Sequence, residues 1–186
     1  MDNKTLLLNI GLECFSKLPY EAVSVQEIVS KANVTKPTLY HYFGSKLGFY
    51  KTVFEHFTRP FFDGIIALTE YHNDLTKNLN EIAKFSLDFF YEHKNEYWLI
   101  ESTMHVSSSS ELAPFLIESF QPMNSAFEQM FQAASKQHGN LKPMLACWMF
   151  QHALIAMIFV VLTGREPYSD SLPYRTVHQF MYGIFS

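Results

Sequence analysis

The chain has 186 residues, 48% of them hydrophobic and 17% charged, with a net charge of −4. That apolar fraction excludes a disordered tail, and the length suffices for one generous core or a small domain joined to a larger one. Two cysteines far apart in sequence, Cys14 and Cys147, imply no disulfide framework, and no signal-like opening is legible, so a cytoplasmic setting is expected.

In chain order, residues 5–17 repeat Leu7, Ile10, Cys14 and Phe15 near helical spacing until Leu18-Pro19 ends the run. Ser24 with Glu27 three positions on reads as a capping box for a brief second helix whose apolar face is Val25, Ile28 and Val29. Asn33 can take the left-handed conformation that a sharp turn requires, and Thr35 can cap a third helix over residues 36–42, with Pro37 harmless in its first turn. Leu39 and Phe43 then face inward, while Lys36, Pro37, Tyr40 and His41 face outward. Gly44 breaks that helix. Ser45 caps a long fourth one that starts at Lys46 and continues past Pro60.

Beyond residue 60 the pattern is helical throughout. Leu75, Leu79, Ile82, Ala83, Phe89 and Phe90 form one stripe, and Ser86 and His93 fall on the same face. A helix is predicted over residues 96–104, a serine-rich loop over 107–110, and a helix from near Pro114 to about Lys136. Residues 144–162 are long enough to cross a bilayer, but Gln151 and His152 sit at their centre, which predicts a helix buried in a bundle or subunit interface. Tyr174, Val177, Met181 and Ile184 mark a last amphipathic helix.

Residues 1–60 hold seven Lys or Arg against five Asp or Glu, and the remainder holds seven against thirteen. Between Ile28 and Phe54 stand Lys31, Lys36, Lys46 and Lys51 with no carboxylate. Such a patch can meet a phosphate backbone even in an acidic protein, and the start of the fourth helix adds unpaired N–H groups and a positive dipole end beside Lys46.

The stretch "IGLECFSKLPYEAVSVQEIVSKANVTKPTLYHYFGSKLGFY", and "TLYHYFGSK" within it most specifically, resembles the tetracycline-repressor (TetR) family of one-component bacterial transcription regulators. Pro19, Asn33 and Leu47 depart from the glycine, glycine and glutamate common there. The resemblance implies an all-α fold: an N-terminal three-helix helix-turn-helix DNA-binding module, residues 1–60, joined to a larger helical ligand-binding and dimerisation domain, residues 61–186. It also implies a recognition helix in the DNA major groove. Pro37 and Thr38 would lie at its start, Lys36 and Pro37 would meet base edges, and Thr35, Tyr40, His41 and Lys46 would hold phosphates.

Two further site expectations follow. A helix apolar all round needs cover that a second subunit can supply, and the family pairs its last two helices with those of a partner. Trp148, Ile155, Phe159, Tyr174, Val177, Met181 and Ile184 are the candidate dimer contacts. Polar residues that interrupt apolar faces describe a small-molecule pocket, with Ser86, Phe89, Phe90, His93, His105, Gln151 and His152 as candidates, though each of them also fits ordinary core. The partners expected are a palindromic double-stranded operator, a small-molecule effector and a second copy of the chain, without a membrane.

No nucleophile with its base, phosphate-cradling glycine loop or metal cluster is legible, so no enzyme, metal or cofactor is expected. The function expected is a dimeric, ligand-responsive DNA-binding repressor released by a small apolar or aromatic molecule. A helical adaptor that binds protein and carries a vestigial DNA module is the alternative.

Overall fold

The computed structural model describes residues 2–183, and every regular element among them is helical. The helices are α1 (Asn3–Phe15), α2 (Val25–Lys31), α3 (Lys36–Phe43), α4 (Lys46–Leu68), α5 (Leu75–Glu92), α6 (Lys94–Ser102), α7 (Ala113–Ser135), α8 (Pro143–Leu162) and α9 (Leu172–Tyr182). α1 begins earlier than its apolar spacing predicts because Asp2 caps it, with the Thr5 amide donating to Asp2 Oδ1 at 2.7 Å. Ser24 caps α2 by accepting from the Gln26 amide, but Glu27 turns to Lys31 at 2.9 Å. The predicted capping box therefore stays open, because a full positive charge one turn away competes with a neutral amide.

Two compact units are formed. The first holds the residues up to Arg59 together with Lys94–Ser119. A division at residue 60 places that second stretch in the larger domain instead. Its contacts explain where it packs: α6 lies on α1, the Phe115 ring meets Phe54 at 5.7 Å, and the Tyr20 hydroxyl donates to Glu111 Oε1 at 2.7 Å. Around them Leu7, Phe15, Ile28, Leu39, Phe49, Tyr50 and Phe54 are almost wholly buried. Phe15 and Tyr50 meet edge to face at 4.9 Å, a geometry that stabilises aromatic pairs beyond simple burial.

The second unit contains Pro60–His93 and the residues from Phe120 onward. α5 packs against both α8 and α9, which also pack on each other. Leu79, Ile82, Phe127, Phe131, Phe150 and Val177 fill the interior. α8 is long and apolar enough to cross a membrane by length and composition. Its buried residues, Ala146, Cys147, Phe150, Leu154, Met157, Ile158 and Val161, recur every three or four positions, so one face belongs to this unit's core. Met144, Leu145, Trp148 and Met149, on the other side, are more than half exposed. α4 and α7 each run unbroken through the points where the units divide, and each carries an internal proline close by, Pro60 and Pro122.

Candidate nucleic-acid interface and effector core

The turn between α2 and α3 is built on Asn33, whose φ of 51° is left-handed, and the Val34 amide donates back to the Val29 carbonyl at 3.0 Å. Asparagine tolerates this conformation better than most residues, which accounts for its standing where glycine is common. α3 is only eight residues long, too short to hold its shape alone, and is anchored by Leu39, wholly buried, and Phe43. Phe43 meets Phe49 of α4 at 4.9 Å.

Pinning those two residues aims the rest of α3 outward. Lys36, Pro37, Tyr40, His41 and Tyr42 are exposed, and Thr38 is half-buried. Lys36 has no ion-pair partner among the described residues. Tyr42 is as exposed as Tyr40 and was not singled out from the sequence, although its place between His41 and the buried Phe43 is the available signal. Thr35 stands at the helix start without bonding a first-turn amide; its hydroxyl lies 2.9 Å from that of Thr38 instead. This corrects the predicted cap and leaves the first-turn N–H groups of α3 open to another acceptor.

The bend from α3 to α4 is tight. Gly44 has φ of 74°, the Ser45 amide donates to the Phe43 carbonyl at 2.8 Å, and Ser45 Oγ caps α4 by accepting from the Gly48 amide at 2.9 Å. A side chain on Gly48 would collide with the Phe43 carbonyl oxygen, so the close approach of the two helices requires glycine there. Spacing alone did not reveal that role. Neither α3 nor α4 has an acidic residue in its first turn, so both positive helix ends are uncompensated from within.

The lysines of the carboxylate-free interval divide by environment. Lys31 pairs with Glu27, and Lys51 lies over the Phe115 ring at 5.1 Å. Lys46 Nζ lies 4.4 Å from the centre of the Tyr20 ring. Partial burial lowers its pKa below the usual lysine value, against an opposing push from the carboxylates of Glu21 and Glu111. Those carboxylates reach Lys46 only through the fold.

The residues named as effector contacts separate. Phe90 is buried, Phe89 partly so, and both rings meet Phe61, at 4.3 and 5.5 Å. Phe85 stacks on Phe61 at 6.0 Å, and Phe62 meets Phe120 at 5.3 Å, which makes a phenylalanine-rich interior where α4, α5 and α7 adjoin. Ser86 is fully buried, but its hydroxyl donates to the Ile82 carbonyl one turn back. Gln151 is half-buried and donates to Cys147 Sγ at 3.2 Å.

The three histidines lie away from the buried phenylalanines. His93 caps the end of α5 and is exposed, because the helix stops one residue before it, although its ring lies tilted against Phe89 at 4.5 Å. His105 belongs to the first unit and is exposed, 3.7 Å from Glu101. His152 is exposed on α8, and its Nδ1–H donates to the Trp148 carbonyl at 2.8 Å.

Of the residues named as dimer contacts, Trp148 and Tyr174 are 51% and 60% exposed, and Ile155, Phe159 and Met181 are half-buried. Val177 is buried in its own unit, as are Leu172 and Pro173 of the same helix. α9 is apolar on more than one face, so spacing alone could not separate core from surface. Ile184 lies outside the described residues.

Residues 7–57 match the family described as bacterial regulatory proteins, tetR family. Over 101 residues the chain is 29% identical to the HTH-type transcriptional activator FasR of Mycolicibacterium smegmatis, covering 54% of this chain and 46% of that protein. The match thus spans less than half the length of that relative. Among solved structures, FadR from Bacillus subtilis in complex with stearoyl-CoA aligns with a TM-score of 0.78 at 15% identity, covering 97% of this chain and 98% of that one. FadR from Bacillus halodurans aligns with a TM-score of 0.76 at 16% identity over 97% and 98% of the two chains. NalD, the secondary repressor of the MexAB-OprM multidrug efflux pump in Pseudomonas aeruginosa, gives 0.72 at 15% over 97% and 94%. At such identities the likeness is one of fold.

Proposed function

From the match of residues 7–57 to the tetR family of bacterial regulatory proteins, we propose that the chain is a cytoplasmic homodimer that represses transcription until a small apolar molecule releases it from a palindromic operator. The observation that carries this reading is the outward row of α3, Lys36, Pro37, Tyr40 and His41, held over Leu39 and Phe43 beside the uncompensated start of α4. In it, Lys36 and Pro37 read base edges with Thr38 at the start of the helix, while Thr35, Tyr40, His41 and Lys46 hold phosphates. The exposed apolar side of α8 and α9 pairs with its twin and sets two recognition helices about one DNA turn apart.

The effector enters the phenylalanine-rich interior of the second unit, where Phe89 and Phe90 contribute apolar walls. The stearoyl-CoA bound by Bacillus subtilis FadR makes a long acyl chain the first candidate. The chain acts by binding, and no catalytic step is assigned to it. Selection of duplexes from a random pool, followed by titration of the enriched sequence with and without fatty acyl-CoA, tests the reading. Enrichment of a palindrome and weaker binding with the acyl-CoA support it. An adaptor with a vestigial DNA module would enrich nothing.

A further inference from the structure

We propose that Glu21 and Glu111 hold Lys46 back from DNA, so that the segment joining α6 to α7 sets the strength of the phosphate grip at the start of α4. The inference rests on the phosphate contact proposed above for Lys46. Lys46 Nζ lies over the Tyr20 ring at 4.4 Å, and the Tyr20 hydroxyl donates to Glu111 Oε1 at 2.7 Å. Ser110 Oγ donates to the neighbouring Glu21 at 3.2 Å. Residues 110 and 111 are thus bonded, side chain to side chain, to the short turn at Tyr20–Ala22 that carries the platform for Lys46.

A negative charge in this position acts on DNA binding twice. It attracts the ammonium toward Tyr20, and it repels the phosphate that would draw the ammonium away, and both effects weaken as salt rises. A structural bond alone would not need the charge: a glutamine at 111 could accept from the Tyr20 hydroxyl equally well. Lys46 itself opens α4, where an incoming phosphate would also meet the positive end of the helix dipole. The same side chain therefore has two alternative anionic surroundings, one internal and one external.

The connectivity supplies a route for control. Glu111 stands two residues before α7, and α7 continues without interruption from Ala113 past Phe120, where the second unit resumes. A shift of α7 along its axis therefore moves the carboxylate relative to Lys46. Tightening this latch weakens the grip on every duplex, whereas loosening it strengthens that grip.

The test uses the full chain and a fluorescently labelled random-sequence duplex, because a phosphate contact is independent of sequence. Glu111→Gln and Glu21→Gln should each bind about threefold more tightly than wild type at low salt, with the gain shrinking as salt rises. In a Lys46→Ala background the gain should disappear, as a double-mutant cycle requires when one group acts through another. Unchanged or weaker binding by both glutamine variants would overturn the inference while leaving the Lys46 contact intact. A gain that persists undiminished beside Lys46→Ala would overturn it as well. Lys46→Ala binding as wild type does would instead remove the phosphate contact on which the inference stands.

Discussion

Trp148 gives the most quantitative handle on assembly. Its side chain is 51% exposed on α8, beside Met144, Leu145 and Met149 on the same uncovered side. A tryptophan can bury up to ~250 Å², so a dimer interface would remove about 130 Å² of it from water in each protomer, or ~3 kcal/mol at 25 cal/mol per Å². A twofold axis counts the residue twice, giving about 6 kcal/mol for Trp148→Ala as an upper bound, and half that after allowance for residual burial and interface relaxation. Each 1.4 kcal/mol is tenfold, so the dimer dissociation constant should rise by about a hundredfold to ten-thousandfold. Sedimentation equilibrium over a wide concentration range reads this directly. The monomer should melt nearly as wild type does, because this side of α8 is not its core. A monomeric wild type, or a shift of less than about threefold in the variant, would refute the reasoning.

Three other substitutions probe the DNA-binding module. Leu39→Ala removes the buried anchor of α3 and should cost about 2–5 kcal/mol in denaturant unfolding, with loss of duplex binding; a loss below 1 kcal/mol would mean that α3 is held otherwise. Gly48→Ala should destabilise the module by about 2 kcal/mol although alanine favours helices, because its methyl group meets the Phe43 carbonyl; a stabilised variant in thermal melts would contradict the close approach. Lys36→Ala should lower discrimination at one base pair by about 1 kcal/mol while leaving random-duplex affinity nearly unchanged. Equal losses on enriched and scrambled duplexes, measured by anisotropy, would make Lys36 a backbone contact.

The local devices were legible because each is set by a residue acting on its own backbone. Asn33 in the left-handed turn, Gly44 at the break, Ser45 as a cap and Pro37 in a first turn all appear as the sequence predicts. The Ser24 box and the Thr35 cap were misjudged because a side chain chose a different nearby partner, Lys31 for Glu27 and Thr38 for Thr35. Pairings distant in sequence were not legible at all. Tyr20 and Glu111 are 91 positions apart, and no periodicity connects them. For Val177 and the three histidines, helical spacing marked a face but not what that face would meet.

The central claim, DNA binding relieved by an effector, is tested most directly by titrating the duplex enriched from a random pool, across a salt series, with and without saturating stearoyl-CoA. Affinity should fall steeply and linearly with salt on logarithmic axes, with a slope that reports several phosphate contacts, and should drop at least about tenfold when the acyl-CoA is bound. Binding that is indifferent to salt, or an acyl-CoA that binds the protein while leaving duplex affinity unchanged, would contradict it.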